Sequence, residues 1–130
     1  MNRPIKFRIW DREIESWVKE QVGDGPIYTI GLDGTVREQY YSDHGKVECC
    51  EIQQFTGLTD MTGGEIYEGD IVEQISEPRA LNGKCQVVYP PGIAGFYLFD
   101  KFETAVSLDS IGGEAVIIVG NVFENTDWKD

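Results

Sequence analysis

Gln54-Phe55-Thr56-Gly57-Leu58-Thr59-Asp60, continued by Gly63-Gly64-Glu65-Ile66-Tyr67-Glu68-Gly69-Asp70-Ile71-Val72, is the stretch on which the reading of this chain turns. Aspartate favours turn starts and glycine supplies positive φ, so Thr56 to Asp60 reads as one bend and Asp60 to Gly64 as a second. Ile66-Tyr67 reads as a brief buried segment. Glu68-Gly69-Asp70 turns again, and Ile71 to Ile75 begins a strand. Pro78 ends that strand, because proline cannot donate to a ladder. The stretch is therefore expected to be a structural joint. Asp60 caps its turn, and Asp70 accepts from backbone amides ahead of the strand. Gly57 and Gly69 take backbone angles that alanine resists.

Downstream of the joint the strands are clear. Lys84 to Tyr89 and Gly95 to Phe99 flank Pro90-Pro91-Gly92 as a long-tipped hairpin. Thr104 to Leu108 is a further short strand. Ala115 to Phe123 is the most apolar run of the chain, which predicts a strand covered on both faces, with Gly120 at a bulge or bend.

Upstream, Ile5 to Trp10 alternates. Ile5, Phe7 and Ile9 are expected on the buried face and Lys6, Arg8 and Trp10 on the other. Ser16 to Lys19 returns as the second arm of a hairpin. Gly23-Asp24-Gly25-Pro26 is a turn, Ile27 to Ile30 a strand, and Leu32-Asp33-Gly34-Thr35 a tight turn into a strand over Val36 to Tyr41. Residues 42–46 are expected to be a polar, mobile loop tip. Val47 to Phe55 reads as a strand of uncertain register. Short strands at spacings near ten residues, with no long amphipathic pattern, predict an all-β protein with few or no helices.

The totals agree with a small folded protein. The chain has 130 residues, 41% of them hydrophobic, and 15 glycines. No apolar run approaches the length of a membrane span, and the N-terminus lacks an apolar signal core, so a cytoplasmic protein is expected. The formal charge is −12. Such a field repels nucleic-acid phosphate and draws basic partners. Cys49, Cys50 and Cys85 are an odd set, which argues against a disulfide framework. One of Cys49 and Cys50 should be a small buried filler and the other exposed or at an edge.

Three pieces of the sequence resemble the YopX family of phage and prophage proteins. They are Ile5-Lys6-Phe7-Arg8-Ile9-Trp10-Asp11, the central stretch from Gln54 to Val72, and Val119-Gly120-Asn121-Val122-Phe123-Glu124-Asn125. The central piece is the specific one. The resemblance implies phage or prophage origin in a bacterial host cell. It also implies a region of N-terminal β-hairpins over residues 1–53 and a C-terminal SH3-like barrel over residues 54–130. It carries no catalytic residues. It marks Thr56, Gly57, Asp60, Tyr67, Gly69, Asp70, Gly120 and Asn121 as a structural motif.

No pattern for chemistry stands out. Gly63-Gly64-Glu65 lacks the lysine and the following helix of a phosphate loop, and Asp60, Glu65, Glu68 and Asp70 would repel phosphate. Those acids lack the spacing of a calcium loop. His44 with the three cysteines lacks zinc-type spacing, and a cysteine nucleophile with His44 as base lacks any local signature. No cofactor or metal is expected, and no enzyme. The expected function is protein–protein interaction, with a second copy of the chain or a host bacterial protein as partner, and without direct nucleic-acid or membrane binding. Trp10, Trp17, Tyr40 and Tyr41 are the candidate interaction surface, Trp10 first. The alternatives are an acidic nucleic-acid mimic that inhibits a host DNA-binding protein and, more weakly, a metal-dependent hydrolase.

Overall fold

A computed structural model describes residues 4–18, 27–40, 43–46 and 50–130; for residues 27, 38–40 and 43–46 it describes the backbone alone. The expected turn at Gly23 to Pro26, together with Tyr41 and Cys49, lies outside the described residues. The chain divides into two compact units, Phe7–Gln53 and Met1–Lys6 with Gln54–Asp130.

In the unit Phe7–Gln53, strands β1 (Phe7–Asp11) and β2 (Ser16–Trp17) form the first hairpin, pairing Trp10 with Trp17. The Val18 N–H donates to the Ile9 carbonyl at 2.8 Å. The alternation is inverted relative to expectation. Phe7 is 43% exposed, whereas Trp10 is buried. Trp10 meets Trp17 edge-on with ring centroids 5.0 Å apart, and the Arg8 guanidinium lies 4.4 Å from the Trp17 ring centroid. Two indoles and a guanidinium thus form the covered face of this hairpin. Trp bears more apolar area than Phe or Ile, and its cation–π and edge contacts add to burial.

A separate three-stranded antiparallel sheet holds β3 (Ile27–Ile30), β4 (Val36–Tyr40) and β5 (Asp43–Lys46) in that order. Gly34 takes φ 82° in the β3–β4 turn, as Asp-Gly requires. The segment expected as a loose loop tip is β5, paired with β4 from Arg37↔Lys46 to Tyr40↔Asp43. Its polar side chains concealed a strand, because pairing needs only the backbone.

Strand β6 (Cys50–Thr59) runs through the border of the two units, between Gln53 and Gln54. Within the larger unit it pairs with β7 (Glu65–Tyr67), Phe55↔Tyr67 and Thr59↔Glu65, with a register irregularity between. The first expected bend is therefore absent. Gly57, at φ 89°, lies within this irregular stretch, and the strand continues to Thr59.

The remaining strands are β8 (Asp70–Gln74), β9 (Lys84–Val88), β10 (Tyr97–Asp100), β11 (Ala105–Ser107) and β12 (Val116–Asn121). They form one antiparallel sheet in the order β11-β10-β9-β8-β12, so the last strand returns to the first. A four-residue helix α1 (Leu108–Ile111) and a 3-10 turn (Gly113–Ala115) precede β12. Among the described residues the protein is thus mostly β with one short α-helix. Ile66, Val72, Val87, Leu98, Leu108 and Val116 form the centre of the core, each at most 1% exposed. The run at β12 is not covered on both faces: Val116 is buried but Val119 is 43% exposed, and β12 closes one edge of the sheet. The bulge expected at Gly120 is present, as a register shift between Ile118 and Gly120.

Candidate functional site

The joint is a knot of carboxylates and backbone amides. Asp60 Oδ1 accepts from the Thr62 N–H (2.9 Å), the Thr62 hydroxyl (2.7 Å) and the Gly64 N–H (2.8 Å). Its Oδ2 accepts from the Ile118 N–H on β12 at 3.0 Å. Burial alone would raise this carboxyl. The four donors outweigh it, Ile118 first, and hold the pKa down at about 2. Asp70 accepts from the Tyr67 N–H at 2.8 Å and faces the Asn121 side chain, whose Nδ2 donates at 3.4 Å. Asn121 Oδ1 in turn accepts from the Phe123 N–H.

Glycine is required where these strands meet. Gly69, at φ 84°, donates its N–H to the Val87 carbonyl (2.7 Å) and accepts from the Val122 N–H (2.8 Å). Thr56 donates its hydroxyl to the Ile66 carbonyl at 2.8 Å, and the Tyr67 ring lies 5.5 Å from that of Phe55. A Cβ on Gly120 would stand 2.3 Å from Asn125 Oδ1.

A second knot was not foreseen. Asp100, at the end of β10, is buried. Its Oδ1 accepts from the Phe102 and Thr104 N–H groups, each at 2.9 Å, and its Oδ2 from the Asn82 N–H and Nδ2 at 3.1 and 2.9 Å. Burial works against the charge, yet the Asn82, Thr104 and Phe102 donors hold the carboxyl below its ordinary value. Only Asp100-Lys101-Phe102 as a turn opener could have signalled it.

These carboxylates are committed to backbone donors, which suits them to fix loops and not to move protons. Among the described residues no three His, Cys, Asp or Glu side chains are grouped to hold a metal ion. Cys85 is buried in the core beside Asp100 in register, and burial pushes its thiol up to about 12. That thiol is a packed filler, not a nucleophile. Cys50 is half-buried. His44 lies in β5, described as backbone alone.

Of the expected interaction surface, the structure brings Trp10 and Trp17 together but buries Trp10, so that residue is not a free contact face. Tyr40 ends β4 as backbone alone.

What the larger unit does leave open is a groove of about 460 Å³, lined by residues 56–58, 94–97 and 107–109. The Leu108 N–H donates to the Phe96 carbonyl (3.0 Å), tying two of its walls. Gly57 and Gly95 lie in the walls with positive φ, and a Cβ on Gly95 would meet nothing within 4 Å. Neither glycine carries a side chain to cover the backbone at these points. Tyr97, half-buried, adds aromatic surface, Phe96 lies buried in the core, and Asp109 is the charged residue of the lining.

The family model described as "YopX protein" matches residues 6–127. This chain belongs to the YopX protein family. Among solved structures, protein EF1440 from Enterococcus faecalis is similar over 99% of this chain and all of its own, with TM-score 0.60 and 20% identity. Protein yopX from Bacillus subtilis is similar over 95% of this chain and 97% of its own, with TM-score 0.58 and 18% identity. At such identities these likenesses show a shared fold. No curated protein matches the chain. No helix among the described residues is long and apolar enough to cross a membrane.

Proposed function

We propose that this YopX-family chain is a non-enzymatic, cytoplasmic binding module of phage or prophage origin, whose groove takes an extended, basic segment of a partner protein. The groove is the observation that carries this reading. Its volume falls in the range of ligand sites, and it combines aromatic surface with bare backbone that a partner strand could pair with. Asp109 and the net charge of −12 favour a basic occupant and its electrostatic steering. We also infer that strands β8 to β12 form a small SH3-like barrel. What supports this is the meander β8 to β11 and the return of β12 to β8 after a 3-10 turn.

Two exposed positions allow a test that spares the core. Ala94→Trp fills the groove, and Asp109→Lys reverses its charge. The wild type and the double variant are used in parallel to capture proteins from bacterial lysate. A partner retained by the wild type and lost by the variant supports the reading. Equal retention by both, or recovery of nucleic acid instead, contradicts it. Self-association is a second reading, motivated by β11 as an edge strand of the five-stranded sheet. Sedimentation that finds only monomer at high concentration would remove it. The acidic-mimic reading is weakened because Asp11, Asp60, Asp70 and Asp100 are buried, which takes four carboxylates out of any surface stripe.

A further inference from the structure

We propose that Asn82-Gly83 is a site of spontaneous deamidation, and that its conversion to aspartate unfastens the turn held by Asp100. Of the chain's asparagines, Asn82 is the one followed by glycine. Glycine matters because the attacking atom is the backbone nitrogen of the next residue, and a side chain there would crowd it. Asn82 is exposed in the loop between β8 and β9. Gly83 stands at φ 76°, and nothing lies within 4 Å of where its Cβ would be. By contrast, the Asn121 side chain is buried and shared between Asp70 and the Phe123 N–H.

The step needs only water. The Gly83 nitrogen attacks Asn82 Cγ and forms a five-membered succinimide. The bond from Cγ to Nδ2 breaks, and Nδ2 leaves as ammonia with the proton from the Gly83 amide. Water then opens the ring at either carbonyl, giving aspartate or isoaspartate. One water enters, one ammonia leaves, and nothing is oxidised or reduced.

The consequence follows from where that amide points. Asn82 Nδ2 donates to Asp100 Oδ2 at 2.9 Å. Conversion removes the donor and sets a second carboxylate against a buried one. Two such groups cannot both ionise cheaply, so the pair takes up a proton or separates. Asp100 also holds the Phe102 and Thr104 N–H groups, so the disturbance reaches the β10–β11 turn. The other groups around Asp100 are the Cys85 thiol across the β9–β10 register and Lys101 and Glu103, both exposed in the turn. Isoaspartate would further lengthen the main chain immediately before β9.

Incubating the full chain at mildly alkaline pH, followed by peptide mapping by mass spectrometry, tests the site. The expected result is amide-to-acid conversion at Asn82 ahead of Asn121 and Asn125, and none at this position in Asn82→Gln. Conversion first at another asparagine, or no conversion, overturns it. The second half is tested on Asn82→Asp and on the aged wild type. The Tm should fall below that of fresh protein, by more at about pH 8 than at about pH 5. A carboxyl whose folded pKa is raised contributes stability at low pH that is lost as pH rises. A Tm equal to that of fresh protein at both pH values contradicts the unfastening.

Discussion

Asp60 joins what one residue can join: its own turn and, through the Ile118 N–H, the last strand. Asp60→Ala leaves three backbone donors without their acceptor and is expected to cost about 2–4 kcal/mol, measured by urea unfolding. Its pH dependence has a definite sign. The folded carboxyl sits at about 2 against an ordinary 3.8, so its contribution is complete above the ordinary value and is lost as pH falls toward 2. Asp60→Asn should flatten the acid limb of the Tm–pH curve; an unchanged limb would show that other carboxylates govern it. Glycines at this scale divide by mechanism. Gly57→Ala strains a positive φ and should cost about 1–3 kcal/mol. Gly113→Ala would place a Cβ 2.2 Å from the Thr59 carbonyl oxygen, so β6 or the 3-10 turn must shift. A loss of the same order or larger is expected, again by urea unfolding. The capping role of Asp60 was legible because aspartate before a Gly-Gly turn has few other uses. Its reach to Ile118, 58 residues away, was not, since no local pattern encodes it.

At the scale of elements, periodicity located strands well and assigned their faces poorly. Turn chemistry gave the β3–β4 and β9–β10 hairpins, because Asp-Gly and Pro-Pro-Gly leave few alternatives. The face of β1 was misread because three aliphatic and aromatic residues outvoted one tryptophan in an alternation count. Packing favours the larger ring together with its partner across the hairpin. Trp17→Ala removes both the edge contact to Trp10 and the Arg8 stack, and should cost about 1–3 kcal/mol. Tryptophan fluorescence during unfolding checks this; a loss near zero would mean the pair is ornamental to the hairpin. Strand β5 was hidden by its polar composition, and α1 by its length of one turn. Short elements of this kind owe their form to tertiary packing more than to propensity.

For the whole molecule, family membership was legible from three motifs spread over the chain, and no reaction was. The groove was invisible in the sequence for a physical reason. Its walls bring residues 56–58 to two segments much later in the chain, 94–97 and 107–109, and two of the wall residues are glycines whose contribution is the absence of a side chain. The charge was legible at once, and its meaning lies at this scale too. With a net −12, association with a basic partner should slow as salt is raised, because steering is screened beyond about 10 Å at 0.1 M ionic strength. Stopped-flow mixing over a salt series checks this, and a rate indifferent to salt would contradict electrostatic steering. Binding of an extended basic segment by residues 56–58, 94–97 and 107–109, as proposed above, is open to direct test. The most direct measurement is selection of random extended peptides on the wild-type protein, followed by an NMR titration with the enriched sequence. The expected result is Lys- or Arg-bearing peptides that shift the amide resonances of Gly57, Gly95 and Ser107 and fail to bind the Ala94→Trp, Asp109→Lys variant. Peptides of no charge preference whose shifts fall outside these residues, or binding undiminished in the variant, would contradict it.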